Sequence, residues 1–318
     1  MNNNKQFDVP ILFIVFRRKD TALKVLEAIA KVKPKTLYIS QDGPKNDEEK
    51  RNVQETRKAV LSKINWKCDL TIWGHDQNLG LKRHIPEAFN RFFEIEQYGI
   101  YLEDDALPSE DFFYFQKELL EKYKNDNRIF SINGTNFFPD KIKVKDSYFL
   151  SKIGRVWGIG LWKRSWRLYN DEMEDFYSLS RKESYNSYFF NKRYKYYLEI
   201  FWKAIIEGKL DSWAMKMIYT AIKNNMYFII PKVNLVNNIG INNKASNMSL
   251  QSYYKDYGKI IPIKHPPKLS YRKEIDIIYF DNLLAGGWIR LWCIKLYLSS
   301  SKSLKNVIEF LMKKIFSK

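Results

Sequence analysis

Residues 99–113 read GIYLEDDALPSEDFF: an apolar stretch, Gly99-Ile100-Tyr101-Leu102, that runs straight into three acids, Glu103, Asp104 and Asp105. A short continuous apolar run suits a strand covered on both faces of a parallel sheet. Adjacent carboxylates at the end of such a strand repel one another in a low-dielectric cleft, so the arrangement calls for a cation. Mg2+ or Mn2+ prefers carboxylate oxygens and keeps coordination positions open for substrate phosphates. Most acidic triplets are solvated loop charges; this one is set apart by its place after a buried strand.

The chain on the N-terminal side of that strand alternates in type. Pro10–Phe16 (PILFIVF) reads as a buried strand, and apolar residues at Leu23, Leu26, Ile29 and Ala30 predict a helix over 21–32. Thr36–Ser40 gives a second strand, closed by the turn signal Asp42-Gly43-Pro44. A charged helix over 47–64, a third strand at Cys68–Trp73 and a helix over 85–95 follow. This alternation predicts an α/β fold, a mostly parallel sheet sandwiched by helices. In such sheets ligands bind at the carboxyl ends of the strands. Arg17, Arg18, Asp42 and the acidic triplet all follow strand ends, so they should meet at one edge.

Beyond Pro108, Ser109 is placed to cap a helix through Phe112, Phe115, Leu119 and Tyr123. A strand at 129–133, helical character over 173–207 and 213–224, and a strand at 227–230 follow. The stretch Val156–Trp166 is rich in glycine and tryptophan.

Hydrophobic residues at 45% exclude a disordered chain. Two distant cysteines, Cys68 and Cys293, make no metal or redox pattern and fit a reducing compartment. No signal peptide is seen, and no apolar run reaches the roughly 18 residues that span a bilayer, so the cytoplasm is the expected location. The net charge of +18 favours an anionic partner: nucleic acid, lipid headgroups or a phosphorylated substrate. From Trp288 to Lys318 there are seven basic residues and one acid, with apolar residues Leu304, Val307, Ile308, Leu311, Met312, Ile315 and Phe316 at helical spacing. Trp288, Leu291, Trp292 and Leu296 make a similar stripe. Such a segment is either an anchor on an anionic membrane surface or a helix packed on its own domain.

Seven segments in order carry a resemblance to a known family: PILFIVFRR (10–18), LYISQDGP (37–44), NLGLK (78–82), GIYLEDDALPSEDFF (99–113), WGIGLW (157–162), DSW (211–213) and IPKVNLVNNIG (230–240). Together they resemble the GT-A glycosyltransferases, most closely bacterial nucleotide-diphospho-sugar transferases related to the N-acetylglucosaminyltransferase I group. The resemblance implies a GT-A domain over 1–245, with a nucleotide-binding half to about 106 and an acceptor half from about 107. A helical extension would occupy 246–318. It implies transfer of a hexose or N-acetylhexosamine from a UDP-sugar to a hydroxyl of a glycan or lipid-linked glycan acceptor, with inversion, in capsule, lipopolysaccharide or other surface-glycan assembly. The site of work would be cytoplasmic, at the inner membrane face.

By the same resemblance Arg18 and Asp42 match positions at the nucleotide base, Glu103 and Asp104 positions near ribose and phosphates, and Asp105 the direct ligand of Mn2+ or Mg2+. Arg17 stands where relatives often carry Asn. Lys82 is placed for the diphosphate, and Trp157 and Gly158 for a wall of the sugar pocket, with Trp166 assigned to the core. Asp211 matches the acidic position expected of a general base; it also suits a helix N-cap. Ser212 stands where those relatives have a second Asp, and a base required at 212 would leave a binding module without catalysis. His75, His84 and His265 show no ligand spacing, and His84 reads as a surface residue. A nucleotidyltransferase remains an alternative, although Arg17-Arg18-Lys19 stands where such enzymes carry a glycine-rich loop. A nucleic-acid-binding protein is the other; no nucleic-acid motif supports it and the acidic strand end opposes it.

Overall fold

The protein is described here from a computed structural model covering residues 6–240, 255–284 and 287–300. β1 (Ile11–Val15) is buried throughout. Its residues alternate between two cores: Ile11, Phe13 and Val15 on one face, Leu12 and Ile14 on the other. α1 (Lys19–Val32) packs Ala22, Val25, Leu26 and Ile29 into the first of these. β2 (Thr36–Gln41), α2 (Asp47–Ser62), β3 (Asp69–Gly74), α3 (Leu81–Ile95) and β4 (Tyr98–Glu103) complete the expected alternation.

The second half adds β5 (Ala106–Pro108), α4 (Glu110–Lys122), β6 (Ile129–Asn133), β7 (Tyr148–Ser151) and β8 (Ile159–Trp162). Then come α5 (Lys163–Trp166), α6 (Phe176–Leu179), α7 (Glu183–Tyr188), α8 (Lys192–Ile206), α9 (Trp213–Lys223), β9 (Tyr227–Pro231) and β10 (Val236–Asn238). α10 (Lys273–Leu283) and α11 (Gly287–Ser299) end the described chain. The main sheet has eight strands in the order β3-β2-β1-β4-β8-β6-β9-β7. β8 pairs antiparallel with both β4 and β6, and β7 antiparallel with β9; the other pairings are parallel. The sheet is thus mostly parallel with helices on both faces. β5 and β10 form a separate antiparallel pair, Asn238 opposite Ala106.

Several expectations need correction. Within the stretch 156–166, Ile159–Trp162 is strand β8, a buried strand between β4 and β6 that the sequence reading did not predict. The helical character over 173–207 resolves into α6, α7 and α8, since Lys182 and Phe189 take extended backbone and Asn191 caps a new helix by accepting from Tyr194 N–H. α3 starts at Leu81, four residues early, because Leu81, Lys82 and Arg83 are exposed and show no apolar period. Ser109 occupies the N-cap position of α4 without donating or accepting a cap bond. The cap of α9 is Ser212, accepting from Met215 N–H at 3.3 Å, and not Asp211.

In α11 the buried face is Leu291, Ile294 and Leu298, packed on α8, while Trp288 and Trp292 of the expected stripe point outward. The stripe Leu304–Phe316 lies outside the described residues. No described helix is long and apolar enough to cross a membrane.

Candidate functional site

The parallel neighbours β1, β2 and β4 end at the same edge, and their following residues meet there. Phe16 N–H donates to Asp104 Oδ2 at 3.0 Å, and Arg18 Nη1 to Asp105 Oδ2 at 2.6 Å. Arg17 turns the other way, pairing with Glu49 of α2. Of the two arginines, Arg18 is therefore the one at the carboxylates. Gln41, fully buried, fixes this turn: its amide donates to Phe16 O at 2.8 Å and Val53 O at 2.9 Å and accepts from Arg57 Nε at 2.6 Å.

The acids feel one another and their burial. Burial first, then the Asp105 charge, pushes Glu103 up to about 8. The same two causes raise Asp104 to about 6, against the pull of the Phe16 N–H. Burial also raises Asp105, opposed by Arg18 and Asn238. Segment 238–240 closes over this cluster: Ile239 N–H donates to Asp105 O at 2.8 Å, and Gly240 touches both Asp105 and Arg18. A Cβ at Gly240 would fall within 2.7 Å of Asp105 Cβ. Asn238 and Gly240 were missed as site residues; the hydrogen bond of Asn238 to Asp105 and the tight space at Gly240 show only once the chain is folded. Beside the cluster, Arg18, Thr21, Asn52 and Gly240 line a cleft of about 440 Å³ between α1 and α2.

Asp42 is nearly buried and is engaged by the protein itself. Its two oxygens accept from Gly43 N–H (2.8 Å), Leu79 N–H (2.8 Å), Gly80 N–H (2.9 Å) and Asn78 Nδ2 (3.0 Å). Four donors occupy the lone pairs a nucleotide base would need, so Asp42 fastens the 78–80 loop that starts α3. His84 is not a surface residue as expected. It is 1% exposed and shares a 2.8 Å hydrogen bond with Ser40 Oγ, and desolvation pushes it down to about 4. Its apolar neighbours on α3 (Ile85 and Ala88 among them) draw that face of the helix onto the sheet.

A second cleft, about 860 Å³, lies along α3 and α5 and is bordered by Lys82, Arg83, Trp166, Tyr169 and Asp171. An aromatic ladder joins it to β4. Tyr101, two residues before Glu103 and on the same face, stacks on Phe89 at 4.8 Å; Phe89 stacks on Trp166 at 4.5 Å, and Trp166 on Tyr169 at 4.4 Å. Trp166 is a core residue at the cleft floor, as expected. Asp211 is exposed at the start of α9; with burial and Asp171, its charge pushes the Tyr169 hydroxyl upward, which puts it near this cleft with Lys82. Trp213 of α9 meets Tyr101 at 5.5 Å.

Trp157 and Gly158 precede β8. The antiparallel register Tyr101↔Ile159 carries Trp157 toward the end of β4 that bears Glu103. Gly158 needs its positive φ of 62°, and its carbonyl accepts from Gly134 N–H at 2.8 Å.

Among the described residues no three His, Cys, Asp or Glu side chains stand together as a metal cage. A single carboxylate such as Asp105 completed by substrate phosphates is nevertheless a donor set that Mg2+ or Mn2+ accepts. The crowded acids, raised above the usual carboxylate range, are what a cation would relieve, so the residues fit such an ion.

No protein-family model and no curated protein matches the chain. Among solved structures it is similar to a mannosyltransferase, PcManGT from Pyrobaculum calidifontis in complex with GDP-Man and Mn2+, at 13% identity and TM-score 0.34, over 50% of this chain and 45% of that one. It is similar to the glycosyltransferase GlyE of Streptococcus pneumoniae TIGR4 at 11% identity and TM-score 0.32, over 56% of this chain and 40% of that one. It is also similar to a UTP-bound UGPase from Acinetobacter baumannii at 8% identity and TM-score 0.35, over 70% and 85%. The chain thus spans less than half the length of the first two. Overlaps this slight carry no functional weight, and the functional reading rests on the site.

Proposed function

We propose that the protein is a glycosyltransferase that moves a hexose or N-acetylhexosamine from a UDP-sugar to an acceptor hydroxyl. The observation that carries the reading is the meeting of Arg18, Glu103, Asp104 and Asp105 at the carboxyl edge of β1 and β4, under the 238–240 segment. Asp105 would hold Mn2+ or Mg2+ together with the donor's phosphates. When bound, that ion supplies neutralisation of the departing diphosphate. Arg18 adds a second positive charge to the same end. Asp104, anchored by Phe16 N–H, and Glu103 present oxygens to ribose hydroxyls. Lys82 supports the diphosphate, and Trp157 with Gly158 borders the sugar.

Asp211 is the proposed base. The acceptor oxygen forms a bond to the anomeric carbon as the bond from that carbon to the phosphate oxygen breaks. The nucleoside diphosphate leaves with the electron pair, and the acceptor proton passes to the Asp211 carboxylate. Transfer from the opposite face gives inversion. The acceptor is a surface glycan or lipid-linked glycan reached at the inner membrane face, where α11 offers Trp288 and Trp292 beside basic Arg290 and Lys295.

The test is thermal stability and UDP release with a panel of nucleotide sugars, with and without Mn2+, on wild type and Asp105→Ala. One UDP-sugar should give a metal-dependent shift that Asp105→Ala loses. Pyrophosphate release from UTP and a sugar 1-phosphate, with no UDP release, would assign nucleotidyl transfer instead.

A further inference from the structure

A third cavity, about 390 Å³, lies where α8, α9, α10 and α11 meet the 154–157 segment. That size is within the roughly 300–1,000 Å³ of small-ligand pockets. Its walls are apolar, with Trp157, Phe201, Met215, Ile218 and Ile294 prominent. Among the described residues, the charged side chains in its lining are Arg155 and Arg290. Arg155 is held over the rings of Phe137 and Tyr279, at 5.1 and 5.9 Å. A free sugar needs many polar partners and finds few on such walls. An apolar chain ending in an anion matches both the walls and the two guanidinium groups.

Trp157 and Ser212, the latter adjacent in sequence to Asp211, line the cavity. α11 contributes Arg290 and Ile294 to it, while its outer face exposes Trp288 (54%), Ile289 (65%) and Trp292 (61%). One helix therefore walls the cavity and turns amphipathic rings outward, as interfacial helices do at a lipid surface.

We infer that this cavity holds the apolar chain of a lipid-phosphate acceptor, with Arg155 and Arg290 on the phosphate and the acceptor head directed toward Asp211. The inference rests on the transferase reading for the role of the head, but the binding site is testable without it.

The experiment uses the full chain and decyl phosphate below its micelle concentration, titrated by calorimetry, with decanol as the uncharged control. Decyl phosphate should bind one to one and at least tenfold tighter than decanol. Arg290→Gln, on the half-exposed rim, and Ala214→Phe, which fills the cavity, should each weaken it at least tenfold. Both variants should keep the metal-dependent thermal shift with the nucleotide sugar, which also shows that they fold. The double variant Trp288→Ser/Trp292→Ser should lose association with phosphatidylglycerol vesicles yet bind decyl phosphate as wild type does. Absent binding, equal affinity for decanol, or affinity unchanged in Arg290→Gln and Ala214→Phe would overturn the inference. So would loss of decyl phosphate binding in the tryptophan variant alone, which would put the ligand on the outer face. If decyl phosphate binds in the expected pattern while no nucleotide sugar shifts the wild type, the transferase reading fails and the lipid-phosphate site stands.

Discussion

Gly240 sets how closely the chain can pass over Asp105. A methyl group there must displace the Asp105 side chain or Arg18, an overpacking that costs about 1–3 kcal/mol. Gly240→Ala should therefore weaken metal-dependent UDP binding at least tenfold in titration calorimetry, with only a modest fall in melting temperature. His84 makes a different prediction. Its pKa of about 4 in the fold lies below the unfolded value near 6.5, so the unfolded chain binds the extra proton between those values. Its contribution is complete above pH 6.5 and is lost as pH falls toward 4, to a limit of about 3 kcal/mol. His84→Gln, which can still bond Ser40, should flatten the loss of stability between pH 6.5 and 4 in denaturant titrations relative to wild type. Asp211→Asn should lower turnover by about 10²–10⁴-fold, the ordinary worth of a general base, with an unchanged melting temperature. An unchanged turnover would remove Asp211 from that role. Asp42 shows the limit of sequence at this scale: an acid after a strand looks available for a ligand until the loop donors around it are seen.

The ladder from Tyr101 through Phe89 and Trp166 to Tyr169 ties the strand that carries the acids to the cleft along α3 and α5. Phe89→Ala should cost about 3–5 kcal/mol, as truncation of a buried aromatic does, and should loosen both ends. Hydrogen exchange would show faster amides in α3 and β4 together; a change confined to α3 would mean the ladder does not couple them. The helix period of α1 was legible because it buries one stripe, Ala22, Val25, Leu26, Ile29 and Val32 among it. α6, α7 and α8 were not separable, because aromatic residues occur on nearly every face of 173–207 and mask the breaks. β7 and β10 were missed because each is only three or four residues long and takes its place from pairing with β9 and β5.

Across the whole molecule, α10 is fastened to the sheet through Asp276. Its carboxylate accepts from Ser151 Oγ and from Lys152 N–H at 2.8 Å, while the Lys152 ammonium lies 4.4 Å from the Tyr188 ring and 4.8 Å from that of Tyr271. Asp276→Leu leaves the buried Ser151 Oγ and Lys152 N–H without their acceptor, which should cost about 1–3 kcal/mol for each unsatisfied group and speed exchange in β7 and α10 together. The amino-acid sequence by itself determined the α/β alternation, the buried strand that ends in Glu103-Asp104-Asp105 and the edge at which the strand-end residues gather. These follow from periodicity and from strand polarity, which are local. Tertiary structure alone decided that Arg18 rather than Arg17 meets Asp105, that Asp42 and His84 are internal, that β8 runs through the sheet and that α11 turns its tryptophans outward. Each of those depends on which distant segment supplies the hydrogen-bond donor or the covering apolar face, and a linear pattern does not encode the partner.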